Sequence, residues 1–215
     1  MAQKQVFLES EGDAWYRRNR EGLARRKFPE EDAILAELLA LPRDDGAPLH
    51  ILEVGCGEAR RLEWLQRNLG TRCFGVEPSA EAVSVASSRG VDARQGTADS
   101  LPFADASMDI VIFGFCLYLC DREDLSRIAS EATRVLKTPG WLLIEDFFSP
   151  NLRARPYHHL AGVNSYKTDY RSLFDGSAGY VCMTHRVRRH GNTGYTDDPE
   201  EWVAVSVLRR LASAP

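Results

Sequence analysis

The sequence predicts an α/β fold built on a single doubly wound sheet, mostly parallel, with an antiparallel strand near the C-terminus and helices on both faces. Three observations support this fold class. His50–Val54 reads as a short buried strand that leads into a turn with two glycines and then into a helical stretch. Strand-like and helix-like segments then alternate as far as Glu145, which is typical of parallel strands joined by right-handed crossovers. Two strand-like segments near the C-terminus have no helix between them, which indicates an antiparallel pair.

The composition favours one domain rather than several. The chain has 215 residues, of which 44% are hydrophobic, so it can bury a full core. Its formal net charge of −4 argues against a general nucleic-acid binder, although local basic clusters exist. No apolar run approaches membrane-spanning length, and the first residues lack the apolar core of a signal peptide, so we expect a cytoplasmic protein without membrane contact. The five cysteines form no CxxC pair, which favours reduced thiols and no metal site.

The first 47 residues are expected to form a helical cap on the main domain. This segment begins as a polar, rather basic stretch around Trp15 and Tyr16, where Asp13 is expected to cap a helix. One interpretation is a solvated helix whose aromatic side chains pack on the domain. The other is a flap that closes over the site with Trp15 or Tyr16. Pro29–Leu41 follows as a predicted amphipathic helix.

Residues 48–147 are predicted to hold the core of the sheet. The elements expected after the first strand are a helix Glu58–Leu69, a strand Arg72–Val76, a helix Ala80–Ser88 capped by Ser79, a weak strand Val91–Gln95, a strand Met108–Phe113, a helix that ends at Val135 and is capped by Asp121 or Asp124, and a strand Trp141–Glu145 after a turn at Pro139-Gly140. In a parallel sheet the ligand lies beyond the carboxyl ends of the strands. Several of these ends carry an acid, so the sequence predicts an acidic cleft.

The glycine turn after the first strand and the acid at the end of the second indicate a nucleoside ligand. Glu77 follows Gly57 at the spacing where dinucleotide-binding proteins place the acid that accepts hydrogen bonds from the ribose hydroxyls. Arg60 replaces the third glycine of the dinucleotide fingerprint, and no phosphate-binding lysine follows, so NAD and ATP fit poorly. S-adenosylmethionine has a ribose and an adenine but no phosphate. Its sulfonium and ammonium groups suit an acidic cleft.

Several segments, in order along the chain, resemble those of the class I S-adenosylmethionine-dependent methyltransferases, in the subgroup that includes ubiquinone-pathway enzymes. They are Ile51–Gly57, Gly75–Ser79, Gly96–Phe103, Met108–Leu117 and Glu131–Leu143. The resemblance implies a Rossmann-like sheet, methyltransferase activity and S-adenosylmethionine as the cofactor. Two further segments are similar to parts of uncharacterised bacterial methyltransferases from surface-polysaccharide gene clusters. These are Glu11–Tyr16 and Ser165–Tyr170.

The resemblance implies which residues would hold the methionine and ribose parts of the cofactor. The turn Gly55-Cys56-Gly57 would let the backbone approach the methionine part, with Glu53 near its ammonium group. Phe113 and Gly114 would border the same part from the fourth strand. Glu77 would hold the ribose.

The adenine would lie beside the second and third strands. By the resemblance, Pro78 would pack on its face, and Thr97 and Ala98 would line its edge. Many relatives have an aspartate at the Thr97 position, which accepts from the adenine amino group. In this sequence Thr97 or Asp99 must take that role.

The segment Phe148–Thr168 loses periodicity and is predicted to be a lid, within an acceptor region of residues 148–179. Methylation of an oxygen with a high pKa needs a base within hydrogen-bond reach. The candidates are His158 and His159 in the lid and Asp146 at the tip of the fifth strand. The two histidines also fit surface or packing positions.

Beyond the lid, Asp169 is expected to cap a short helix, Tyr170–Phe174. Residues 180–215 are then expected to form a strand pair, Tyr180–His190 and Trp202–Leu211. Tyr166, Lys167 and Tyr170, around the start of this helix, suit a sugar ring with an attached phosphate. They also suit packing against the core.

Three functions remain open from the sequence. The leading hypothesis is O-methylation of a small polar acceptor, such as a sugar or a nucleotide-sugar. The second is methylation of tRNA, with phosphate contacts from the basic N-terminal helix and from Arg186, Arg188 and Arg189, although the acidity of the chain counts against it. The third is a binding module that keeps the cofactor fold without turnover. The sequence makes no prediction about the oligomeric state.

Overall fold

A seven-stranded sheet forms the centre of the computed structural model, which describes residues 2–42, 46–174, 179–192 and 194–212. The strands of the described residues are β1 (His50–Val54), β2 (Arg72–Glu77), β3 (Asp92–Gln95), β4 (Met108–Gly114), β5 (Leu136–Phe147), β6 (Arg153–Pro156), β7 (Asn164–Lys167), β8 (Tyr180–Arg189) and β9 (Trp202–Arg210). Strands β6 and β7 form a separate pair, and the others belong to the seven-stranded sheet. The order in the sheet is β3-β2-β1-β4-β5-β9-β8. The first five are parallel, and β9 runs antiparallel between β5 and β8. The predicted fold class is confirmed.

Helices cover both faces of this sheet. They are α1 (Gln3–Val6), α2 (Gly12–Ala24), α3 (Ala33–Leu39), α4 (Arg60–Leu69), α5 (Ala80–Ser88) and α6 (Leu125–Val135). Side chains of a strand alternate between the two faces. Ile51 packs with α3 and α4, whereas its neighbour Leu52 packs with α6 on the other side. Among the described residues no helix is both long and apolar enough to cross a membrane.

The strand order reverses between β1 and β4, because β2 and β3 lie to one side of β1 and β4 and β5 to the other. In open α/β sheets the ligand lies in the crevice outside the carboxyl ends of the strands at such a reversal. The turns after β1, β2 and β4 therefore mark the expected site.

Several predicted boundaries are wrong. Helix α3 begins at Ala33 rather than Pro29, because the Asp32 carboxylate accepts from the Leu35 N–H at 2.9 Å and caps the helix there. Strand β5 includes Pro139 and Gly140 rather than following them. A register irregularity between β4 and β5 accommodates these residues, as a bulge accommodates a proline without an N–H.

The predicted caps of α6 are also wrong. The helix begins at Leu125, directly after Asp124, and neither the Asp121 nor the Asp124 carboxylate accepts a capping hydrogen bond from a backbone N–H. A single helical turn, Arg122–Asp124, precedes the helix instead, and the backbone carbonyl of Asp121 accepts from the Asp124 N–H at 3.1 Å. This turn provides a backbone partner for an N–H group at the start of the helix, so no side chain is needed.

The predicted lid contains regular structure that the sequence did not indicate. Strands β6 and β7 pair as an antiparallel hairpin within it. Their side chains are exposed or half-buried on both faces, so they lack the apolar alternation that marks a strand. After the hairpin, the Asp169 carboxylate accepts from the Arg171 N–H at 3.1 Å and caps the turn Tyr170–Leu173, as predicted.

The N-terminal residues form one continuous helical run over residues 3–24, which we call the N-terminal arm. It consists of α1, a π-helical turn (Phe7–Glu11) and α2. Asp13 lies inside this run and does not cap it. Its carboxylate instead accepts from Ser79 Oγ at 2.6 Å and from the Glu81 N–H at 3.1 Å, so it caps α5 from a different element. Residues 43–45, at the end of the predicted helical cap, lie outside the described residues.

Candidate functional site

A cavity of about 670 Å³ opens where the strand order reverses. Its floor is the glycine turn after β1 together with the ends of β2 and β4. The arm lies along one side, and the β6–β7 hairpin forms the far wall. The predicted site residues that line it are Glu53, Gly55, Cys56, Gly57, Glu77, Pro78, Thr97, Ala98, Asp99, Gly114, His158 and His159. Phe113 and Asp146 do not lie on its wall.

Glycine suits the two positions of the turn for different physical reasons. A Cβ on Gly55, which has φ +75°, would lie 2.5 Å from Cβ of Cys116, so this position needs glycine for packing and for backbone conformation. Gly57 has φ +54°, and a Cβ there would meet no atom within 4 Å. The space beside Gly57 belongs to the cavity and is available to a ligand. Cys56 between them is buried, and burial raises the pKa of its thiol, so it is a neutral part of the wall.

Glu53 sits at the bottom of the cavity and is 4% exposed. One of its oxygens, Oε1, accepts from Arg61, which also pairs with Asp32 at 2.9 Å. Burial raises the pKa of Glu53 to about 7, and Arg61 opposes the rise. Glu53 was predicted as an acid near the cofactor ammonium, but the contact of Arg61 with one of its two carboxylate oxygens was not predicted.

The second oxygen of Glu53 supplies the test of whether S-adenosylmethionine fits. Glu53 Oε2 is buried and has no hydrogen-bond partner among the described residues. An unsatisfied buried carboxylate oxygen costs free energy unless a donor reaches it. An ammonium group beside Gly57 is such a donor. These residues therefore fit the cofactor that the resemblance implies.

Glu77 is held by the backbone at the end of β2. Its Oε2 accepts from the Gly57 N–H at 2.9 Å and its Oε1 from the Ser79 N–H at 3.0 Å. Burial raises the pKa of Glu77, and these two N–H groups act in the opposite direction. Each carboxylate oxygen can accept more than one hydrogen bond, so both remain able to accept from a ribose hydroxyl.

Thr97 and Asp99, the two candidates for the contact with the adenine amino group, are hydrogen-bonded to each other. The Thr97 hydroxyl donates to Asp99 Oδ1 at 2.6 Å, and Lys4 of the arm contacts Asp99 Oδ2 at 2.6 Å. Ala98 is buried beside them. The predicted acidity of this edge is therefore offset by a lysine that lies 95 positions away in sequence.

The arm packs directly on the turn that would hold the adenine. A Cβ on Gly12 would lie 2.6 Å from the Phe7 carbonyl oxygen and 3.0 Å from the Ser79 nitrogen. Tyr16 is buried and donates to Glu58 Oε2 at 2.9 Å. Trp15 lines the cavity and donates to the Tyr118 hydroxyl at 3.2 Å. Both aromatic residues therefore pack on the domain, as the first interpretation expected, and Trp15 but not Tyr16 lines the cavity.

The arm also contacts the hairpin, which closes the cavity from above. The Tyr157 hydroxyl donates to Glu11 Oε1 at 3.0 Å and lies 2.9 Å from Nη2 of Arg18. Near the start of the arm, Gln3 Nε2 donates to the Asn164 carbonyl at 3.1 Å, and the Asn164 N–H donates to Gln3 Oε1 at 2.6 Å. These contacts join residues more than 130 positions apart, and no local sequence signal predicts them.

Two of the three predicted bases line the cavity. The rings of His158 and His159 have centroids 3.9 Å apart and are exposed to it. Partial desolvation lowers the pKa of His159, and the charges of Arg18 and His158 lower it further. A neutral imidazole at neutral pH is the form that accepts a proton.

The structure places Asp146 away from the cavity, which argues against its predicted role as a base. It is 2% exposed, and both oxygens are occupied by backbone donors. Oδ2 accepts from the Leu117 N–H at 2.8 Å, and Oδ1 accepts from the Phe147 N–H at 2.8 Å. Asp146 orders the turn after β4, and the sequence could not separate this role from catalysis.

Phe113 does not line the cavity either. It is fully buried and packs on Phe174 in the core, with ring centroids 6.5 Å apart. Gly114 and Phe115 take its place on the wall. Phe115 has φ +53°, which is uncommon for a bulky residue and turns its ring toward the site. Sequence carries no signal for this conformation.

An aromatic cluster that the sequence did not predict surrounds Phe147. Its ring centroid lies 5.3 Å from that of Phe115, 5.0 Å from that of Tyr118 and 5.2 Å from that of His190. We call these four residues the aromatic cluster, and all four line the cavity. From the sequence alone, His190 is only the last residue of a predicted strand. It is a further imidazole beside the site, with a pKa lowered by desolvation.

Residues 52–144 match a family model described as a methyltransferase domain. The chain is 39% identical over 117 residues to the ubiquinone/menaquinone biosynthesis C-methyltransferase UbiE of Rubrivivax gelatinosus, and 41% identical over 86 residues to the uncharacterized methyltransferase YcgJ of Bacillus subtilis. These matches cover 53% and 36% of this chain, and 46% and 33% of the two relatives. The chain thus spans less than half the length of the curated relatives it matches.

Solved structures share the fold at low sequence identity. The Burkholderia thailandensis 1,6-didemethyltoxoflavin-N1-methyltransferase, solved with 1,6-didemethyltoxoflavin and S-adenosylhomocysteine, gives a TM-score of 0.70 at 18% identity, over 97% of this chain and 89% of its own. A putative methyltransferase from Haloferax volcanii, solved with the activator Trm112, gives 0.70 at 19% identity, over 97% of this chain and 99% of its own. Residues 52–144 therefore form a class I S-adenosylmethionine-dependent methyltransferase domain, and S-adenosylmethionine is its cofactor.

Proposed function

We propose that this chain is an S-adenosylmethionine-dependent methyltransferase that methylates a small-molecule acceptor. One observation carries the proposal: a single cavity reaches from the glycine turn and Glu77 to the aromatic cluster and the β6–β7 hairpin. Its volume, about 670 Å³, falls among the pockets that enclose small molecules, which measure about 300–1,000 Å³. Donor and acceptor would share one chamber.

The residues of the chamber have separate tasks in this proposal. When bound, the cofactor supplies an electrophilic methyl group for an in-line displacement. Glu53 Oε2 would accept from the ammonium group, and Glu77 would accept from the ribose hydroxyls. The arm and the hairpin exclude water and hold the acceptor close to the donor, and both effects accelerate transfer.

We propose an oxygen as the acceptor atom, in a sugar or a nucleotide-sugar. A hydroxyl with a high pKa must lose its proton during transfer, which calls for a base. His159 supports this role because its lowered pKa keeps it neutral, and His158 lies against it. The two named relatives whose reactions are known methylate carbon and nitrogen, according to their names. The oxygen assignment therefore rests on the histidine pair.

The contacts of the basic residues give less support to tRNA as the acceptor. Arg188 is buried against Glu145. Arg189 pairs with Glu201 at 3.3 Å and Arg186 with Glu37 at 3.5 Å. Arginines that already pair with carboxylates gain less from phosphate contacts. Binding of tRNA that is strong at low salt and falls steeply as salt rises would favour this function instead.

The decisive experiment combines cofactor binding with transfer of a labelled methyl group to a metabolite pool. We expect S-adenosylhomocysteine to bind in calorimetry and label to enter small molecules. Glu77→Ala should weaken that binding by about 1–3 kcal/mol, because the ribose loses a charged acceptor. If no cofactor binds, the proposal fails; binding without any transfer would favour the non-catalytic module.

The histidine pair is tested separately. His158→Ala and His159→Ala should each retain cofactor affinity, and the second should lower kcat by about 10²–10⁴-fold, the range of general-base catalysis. Full turnover in both variants would rule out a histidine base and with it the argument for an oxygen acceptor.

A further inference from the structure

One face of the β6–β7 hairpin carries three cations. Arg153 lies opposite Lys167 in the strand pair, and Arg155 lies two residues further along, on the same face. All three side chains line the cavity. We call Arg153, Arg155 and Lys167 the cationic face.

In the described part of the chain the cationic face shares a single carboxylate, Glu200. Its Oε1 lies 3.1 Å from Arg153 Nη1 and 2.5 Å from Arg155 Nη2, and its Oε2 lies 3.4 Å from Lys167 Nζ. Three positive charges therefore meet one negative charge, which leaves an excess of two. The Glu200 side chain is 37% exposed, so it can move away without leaving a buried gap.

This arrangement is unfavourable for folding alone. Like charges directly opposite each other on paired strands are destabilising, and Arg153 and Lys167 hold such positions. In place of the Glu200 carboxylate, an anion with two negative charges would neutralise two of the three positive charges instead of one. Two guanidinium groups also present planar forks, which match phosphate oxygens in a bidentate manner.

The cationic face adjoins the aromatic cluster. Lys167 Nζ lies 5.5 Å from the centre of the Phe147 ring, and Phe147 packs on Phe115, which follows Gly114 at the methionine side of the cavity. A ring seated on the aromatic cluster would thus lie between the methyl donor and the cations. Its anionic substituent would reach the hairpin.

We propose that Arg153, Arg155 and Lys167 bind a phosphoryl group of the acceptor and that Glu200 occupies their donors until this group arrives. The inference rests on the proposed function, because it concerns the acceptor end of the same chamber. It narrows the acceptor to a phosphorylated compound. A carboxylate ligand, with one charge, would neutralise no more of the positive charge on the hairpin than Glu200 already does.

Calorimetry with inorganic phosphate tests the proposal. The titration is made at constant ionic strength, with and without saturating S-adenosylhomocysteine, and repeated with acetate. We expect saturable binding of phosphate and binding of acetate weaker by about tenfold. Arg155→Gln should weaken phosphate binding by about tenfold, because a charge-assisted bidentate contact is lost. Arg67→Gln, which removes a 73%-exposed arginine of α4 outside the cavity, is the matched control and should change nothing.

Glu200→Gln separates a ligand site from a merely structural ion pair. It removes the competing carboxylate and should tighten phosphate binding by about fivefold, whereas a structural role would give no gain. Circular dichroism shows that each variant is folded. Equal affinities in all variants, or equal affinity for acetate, would overturn the proposal. Binding of S-adenosylhomocysteine in the same samples reports on the proposed function independently, so its failure is distinguishable from failure of the phosphate site.

Discussion

The backbone of the arm packs against the turn after β2 at Gly12, so Gly12→Ala is a sharp test of the arm. A Cβ there would lie 2.6 Å from the Phe7 carbonyl oxygen, 3.0 Å from the Ser79 nitrogen and 3.2 Å from the Pro78 carbonyl carbon. All three are backbone atoms, so no side chain can rotate away. The arm must change its own backbone near Phe7, and it must also shift from the turn after β2 unless that turn moves.

The magnitude follows from comparison with a second glycine on the same helix. Gly22 also lies in α2, and a Cβ there would meet nothing within 4 Å. Both substitutions gain about 1 kcal/mol of helix propensity, and this gain cancels in their difference. Overpacking costs about 1–3 kcal/mol, so Gly12→Ala should be less favourable than Gly22→Ala by that amount. If the cost appears in cofactor binding, it corresponds to a factor of about 5–150 in affinity.

Three measurements report the outcome. Thermal unfolding gives the stability of each variant, calorimetry gives the affinity for S-adenosylhomocysteine, and limited trypsin digestion at Arg17, Arg18 and Arg20 reports release of the arm. We expect Gly22→Ala to be more stable than the parent with unchanged affinity. Gly12→Ala should bind more weakly and be cleaved faster. If the two variants are equally stable, bind equally well and resist trypsin alike, the arm does not close the site.

The other predictions concern the two buried acids. Asp146→Asn should lower the free energy of unfolding by about 1–3 kcal/mol in denaturant titrations, because an amide N–H₂ would face backbone N–H donors. It should leave the turnover of folded protein unchanged, and a large loss of kcat would restore Asp146 as a base. The affinity for S-adenosylhomocysteine should fall about tenfold from about pH 8 to about pH 6, because the Glu53 carboxylate, with a pKa raised to about 7, loses its charge on that path. Glu53→Gln should abolish this dependence, and a flat profile in the parent protein would contradict the assignment.

The parts of the site that sequence predicted are those built by short stretches of chain. Gly55 and Gly57 lie in the turn directly after β1, Glu77 is the last residue of β2, and strand ends meet at one edge of a parallel sheet. Spacing alone then fixes which residues face the ligand. The element order followed for the same reason, since apolar alternation and caps such as Ser79, which accepts from the Ala82 N–H at 3.1 Å, act within a few residues.

The parts that sequence missed depend on contacts between distant segments or on unusual backbone conformations. Arg61 contacts one of the two carboxylate oxygens of Glu53, and Lys4 pairs with Asp99. The local sequence pattern predicts neither partner. Phe115 rather than Phe113 lines the chamber because of a positive φ that sequence does not encode visibly. The hairpin was missed because a strand pair without a buried face has no apolar period.

The arm explains why the predicted acidic cleft is not acidic as a whole. Lys4 pairs with Asp99 at the adenine side, and Arg18 pairs with Glu11 under the hairpin. The hairpin adds its own cations at the acceptor end. A free carboxylate oxygen remains at Glu53, beside the glycine turn, where a cationic donor would sit. The chamber is therefore polarised, with an unsatisfied carboxylate oxygen beside the glycine turn and excess positive charge on the hairpin. In the function proposed above, this polarity would orient two ligands of opposite charge toward each other, and its positive end depends on the position of the hairpin over the sheet.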